Sequence, residues 1–121
     1  MRNVILTLIL LLASASSVTA EVKVDGSIRS TLDVYDKFLV PEDRKVIETF
    51  IGGMVIGLLW ANVMLKQRGQ PLLYCQPDKL VITDSQMIDM MRRAMKDNPK
   101  WGDFPIGMMV LVTLQRTFPC K

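Results

Sequence analysis

The sequence contains no histidine. That absence removes the usual general base and metal ligand together. No Ser–His or Cys–His nucleophile pair can form, and no H-E-x-x-H metal motif can exist. A phosphate-cradling G-x-x-x-x-G-K stretch is also missing. Cysteine is scarce: only Cys75 and Cys120 are present, and two cysteines alone rarely make a zinc site. No activating neighbour marks either as a reactive thiol. Charge of one sign is lacking as well. Without Arg2, 14 Lys and Arg face 12 Asp and Glu, too even a balance to argue for a nucleic-acid partner. The carboxylates fall at helix starts (Glu42, Asp43, Asp84) or on polar faces (Asp89, Asp97), whereas paired acid–base work needs two across a cleft. The chain reads as a non-enzyme with no cofactor and no metal site.

What is present begins with a leader. "MRNVILTLILLLASASSVTA" has Arg2 as a short positive region, an apolar run from Val4 to Ala13, and a small-residue end. This pattern predicts a signal peptide over 1–20, cleaved between Ala20 and Glu21; the rival reading is a retained anchor, for which the run is short. A domain over 21–121 follows, with no internal repeat or low-complexity linker. An exported chain meets an oxidising compartment, where an even cysteine count favours a disulfide. Cys75–Cys120 is the one intramolecular pairing, and closing that loop contributes roughly 4 kcal/mol in the chain-entropy model.

The periodicity predicts an all-α domain: one long central helix packed by two or three shorter ones. A short helix is expected near 31–38, capped by Ser30. The strongest signal is "PEDRKVIETFIGGMVIGLLWANVMLKQRG". Pro41 suits the first helical position, Glu42 and Asp43 the positive end of the dipole, and Gly69 the C′ position. Ile47, Phe50, Ile51, Met54, Leu58, Ala61 and Leu65 form one apolar stripe, and from Phe50 onward the opposite face is apolar too. Such a helix sits inside a core or in a membrane. Phe50 to Leu65 is short for a span, so a buried central helix is expected, with Gly53, Gly57 and Ala61 as a groove for a neighbouring helix. Glu48 and Asn62 flank the apolar centre; they are expected to support the fold or cap loop groups, with a functional role as the alternative.

A loop carrying Cys75 follows, "QPLLYCQPDKL". Thr83 and Gln86 stand at capping-box spacing, and Met87, Ile88, Met91, Ala94 and Met95 make a helical stripe that Asn98 and Pro99 stop. Most methionines are expected to fill the core. A last helix opens at Pro105 and ends before Pro119. Its "VLVT" admits a strand, but the spacing of Ile106, Met109, Val110, Thr113 and Leu114 favours a helix.

In order, "FIGGMVIGLLWAN", "LLYCQP", an amphipathic helix ending in "NP", and "FPIGMMVLVTLQRTFPC" resemble the Rap/Tai family of type VI secretion amidase-immunity proteins. The C-x-P turn is Cys75-Gln76-Pro77, and the terminal motif is Phe118-Pro119-Cys120. The resemblance covers residues 46–120. It implies a periplasmic, mainly helical protein that binds a secreted peptidoglycan amidase and occludes its active site, protecting producer and kin. Members often act as dimers, so a homodimer is open to this chain. A periplasmic scaffold or chaperone-like module of the same fold, with no toxin partner, is the alternative. No stable membrane insertion is expected after signal cleavage, and the partner-contacting residues are not readable from the sequence.

Overall fold

The computed structural model describes residues 25–121; the expected signal peptide over 1–20 and its expected Ala20/Glu21 cleavage site lie outside them. The described chain contains four α-helices: α1 (Ile28–Lys37), α2 (Pro41–Gln67), α3 (Asp84–Asp97) and α4 (Ile106–Thr117). A 3-10 turn, Pro99–Asp103, links α3 to α4. The all-α architecture matches the sequence expectation, with one long helix packed by three shorter ones.

Helix α1 starts three residues earlier than its periodicity suggests. The cap is Ser27, not Ser30: the Ser30 N–H donates to Ser27 Oγ at 3.2 Å. Gly26, at φ +82°, supplies the left-handed turn that sets up this start. The early start places Ile28 in the core with no exposed surface. The Ile28 N–H also donates to the Phe104 carbonyl at 2.9 Å, so the front of the chain is tied to the far end of the 3-10 turn.

Helix α2 keeps its predicted ends. Pro41 opens it, Glu42 and Asp43 fill its first turn, and Gly69 follows the cap at φ +65°. Helix α3 opens on a full capping box. Thr83 Oγ1 accepts from the Gln86 N–H, and Gln86 Oε1 accepts from the Thr83 N–H. Its stripe of Met87, Ile88, Met91 and Ala94 is buried. Helix α4 is a helix through "VLVT", with Met109, Val110, Thr113 and Leu114 buried.

The core lies where α3 and α4 meet one side of α2 and the inner side of α1. Ile28, Leu32, Ile51, Tyr74, Met87, Met91, Met109, Val110 and Leu114 are its principal buried side chains. Three of the methionines are fully enclosed there, as core filling requires. Two others, Met64 and Met108, are about half exposed.

The expectation of a helix buried all round is corrected. Only Ile51, Gly52 and Asn62 of α2 are buried. Ile47, Met54, Val55 and Leu58 pack against the core from its margin, while Phe50, placed in the same stripe by periodicity, is 54% exposed. The physical reason is the number of neighbours. Helices α3 and α4 cover one side of α2, and a 27-residue helix is longer than the short helices available to wrap it.

The small-residue groove is corrected too. A side chain at Gly53 or Gly57 would meet nothing within 4 Å. The glycine that packs closely is their neighbour Gly52, where a side chain would collide with the Asp84 carboxylate at the start of α3.

Candidate functional site

The bond between Cys75 and Cys120 is formed, across 45 residues of chain. It fastens the end of the α4 segment to the α2–α3 loop. Beside it, the Cys75 N–H donates to the Phe118 carbonyl at 2.8 Å. Pro119 therefore lets the chain leave α4 and turn straight onto the loop. No free cysteine remains.

Asn62 holds the same loop from the other side. Its Nδ2 donates to the Tyr74 carbonyl at 2.8 Å, and its Oδ1 accepts from the Leu73 N–H at 2.8 Å. Both partners are main-chain groups of a segment with no ladder of its own, so a buried amide satisfies what secondary structure does not. This is the loop-capping role expected for Asn62.

Glu48 has a different partner. Tyr35 on α1 donates its hydroxyl to Glu48 Oε1 at 2.6 Å, joining α1 to α2. That bond is the first cause of a Glu48 carboxyl held below its ordinary value and of a Tyr35 hydroxyl raised above its own. Lys45 sits 3.5 Å from Glu48 Oε2, and the Arg44 guanidinium stacks on the Tyr35 ring at 5.2 Å. Glu48 is thus a fold-supporting residue, and sequence spacing could not find Tyr35, thirteen residues away on another helix.

One ion pair joins α1 to α3. Arg92 grips Asp36 with both arms, at 2.6 and 2.7 Å. The bond holds the Asp36 carboxyl below the ordinary range, more than partial burial raises it. The pair borders an open cleft of about 530 Å³ between α1, α3 and the 3-10 turn. Arg29, Asp33, Lys96 and Asp103 also line it, so the cleft carries both signs of charge. Among the described residues, no group of three or more Cys, Asp or Glu is placed to hold a metal ion.

The largest unsatisfied feature is on α2. Its outward side carries Val46, Phe50, Ile56, Trp60 and Met64, exposed by 70, 54, 57, 63 and 46%. Gly53 and Gly57 lie between them on the same side, equally open. By length and composition α2 is the one described helix able to cross a membrane. Sequence periodicity did not separate this side from the buried one because both are apolar.

The surface thus offers two places for another molecule: a charged cleft on α1 and α3, and an apolar stripe on α2. They share no residue. No family model, curated protein or solved structure matches this chain.

Proposed function

We propose that this chain is an exported immunity protein, one that binds and inhibits a type VI secretion peptidoglycan amidase and so protects producer and kin in the periplasm. The observation that supports the reading best is the Cys75–Cys120 bond. It joins "LLYCQP" to "FPC", two of the segments whose order makes the chain resemble the Rap/Tai family. An occluding protein needs a rigid, shaped surface rather than reacting groups, and the bond with the Asn62 bracket stiffens the loop end of the domain. The charged cleft around Arg29 and Arg92 suits a polar protein surface.

Co-expression decides the matter. The full chain, exported with an amidase from its own locus, is expected to restore growth, and the purified chain to stop that amidase from cleaving peptidoglycan. Continued lysis with every neighbouring amidase overturns the proposal.

The open apolar stripe of α2 favours a second reading, a periplasmic scaffold or chaperone-like module of the same fold. Protection of unrelated unfolded clients from aggregation, with no amidase inhibited, would select it.

A further inference from the structure

The outward side of α2 changes character along its length. Glu42 and Asp43 stand at its start, and no charged residue lies between Glu48 and Lys66. Lys66 and Arg68 then close the helix, and Lys79 follows in the α2–α3 loop. The disulfide and the Asn62 bracket hold that loop beside the same end. All three cations are exposed, and among the described residues none has an ion-pair partner. Asp78 is the one carboxylate between Lys66 and Thr83, so three cations less one anion leave this end with two surplus positive charges.

We propose that the C-terminal half of this face docks on the surface of a bilayer containing anionic phospholipid. Ile56, Leu59, Trp60 and Met64, exposed by 57, 46, 63 and 46%, enter the boundary between headgroups and acyl chains. Lys66, Arg68 and Lys79 meet the phosphates above them. Trp60 and the long stems of the cations suit that boundary, because each has an apolar body and a polar tip. The acidic start of the helix stays in water, so α2 lies tilted with its last turns deepest. The docking is peripheral. Ile51 in the core and the Asn62 bracket hold the inner side of α2 to the domain, and spanning a bilayer would break both.

The chemistry of the face favours lipid over protein. From Phe50 to Met64 the outward side carries apolar side chains and glycines, with no side chain that donates or accepts a hydrogen bond except the Trp60 indole. A protein interface carries about one hydrogen bond per 100–200 Å², whereas hydrocarbon asks for none. Only 6% of the most apolar 18-residue stretch of α2 is buried within the domain. A hollow of about 140 Å³ between α2 and the loop extends the apolar contact through Leu59, Val63 and Leu72, and Lys66 lines it as well. The inference stands apart from the amidase reading, since the charged cleft contains no residue of α2.

The test uses the full chain, exported and purified with its disulfide intact, in vesicle flotation. The wild-type chain is expected to float with phosphatidylethanolamine–phosphatidylglycerol vesicles and to stay behind with phosphatidylethanolamine–phosphatidylcholine vesicles. Raised salt should release it. Trp60→Glu should abolish flotation while leaving helicity, the disulfide and thermal stability intact, because Trp60 is exposed in the domain. Lys66→Gln with Arg68→Gln should weaken binding about 25-fold, roughly fivefold for each cation. Val46→Ser, near the acidic end, should leave binding nearly unchanged. A wild-type chain that floats with neither vesicle, or equally with both, overturns the proposal, as does flotation that survives Trp60→Glu. So does a wild-type dimer that Trp60→Glu dissociates with no flotation seen, which would assign the face to protein.

Discussion

The two faces of α2 have nearly the same composition and opposite fates. The inner one carries Ile47, Ile51, Met54 and Leu58 against the core and ends in the Asn62 bracket. The outer one carries Val46, Phe50, Trp60 and Met64 into the open. Adjacent glycines divide in the same way: Gly52 is sealed against Asp84, and Gly53 meets nothing. Apolarity therefore sets how much surface a helix can bury, and its neighbours set how much it does bury within one chain. The outer surplus is available for association outside the chain.

That contrast can be broken from the inside or the outside. The largest effect is expected from Cys75→Ser with Cys120→Ser, which releases the loop held against the inner side; chemical denaturation should show a loss of about 4 kcal/mol. Ile51→Ala, fully buried, should cost about 3 kcal/mol through lost contacts and a cavity. Asn62→Ala should cost roughly 2 kcal/mol because the Tyr74 carbonyl and the Leu73 N–H lose their partner. Amide exchange at Leu73 should speed up in that variant before the helices respond.

Acid gives a smaller effect. Asp36 and Glu48 both have carboxyls held low in the folded chain, by Arg92 and by Tyr35 respectively. The unfolded chain therefore binds more protons as pH falls through about 4. Stability from both groups is present above that range and is lost below it. A pH series of denaturation midpoints should fall less steeply for Asp36→Asn with Glu48→Gln than for the wild type. The smallest effect belongs to the outer face: Trp60→Ala should change the stability of the monomer by no more than about 0.5 kcal/mol. A large loss in monomer stability there would mean that the outer face packs within the chain after all.

Much of the fold was legible one element at a time. Thr83 and Gln86 announce the start of α3, and Pro41 and Gly69 bracket α2, because caps and dipoles act within a turn. The Cys75–Cys120 pairing follows from counting once export is granted. Other features were out of reach for the same reason in reverse. Ser27 displaced Ser30 as the cap of α1 because burying Ile28 favours the earlier start. The partner of Glu48 is Tyr35, and that of Asp36 is Arg92, 56 residues on; no local pattern signals such meetings.

The sequence by itself determined where α2, α3 and α4 begin and end, which two cysteines join, and that α2 is apolar around its circumference. These rest on interactions within a few residues, or on a choice of one. The tertiary structure alone decided which side of α2 is sealed, which of three clustered glycines is needed for packing, and that Asn62 faces a loop rather than solvent. Each depends on which helices arrive beside α2 and on which side, and a helix apolar all round carries no mark to say so.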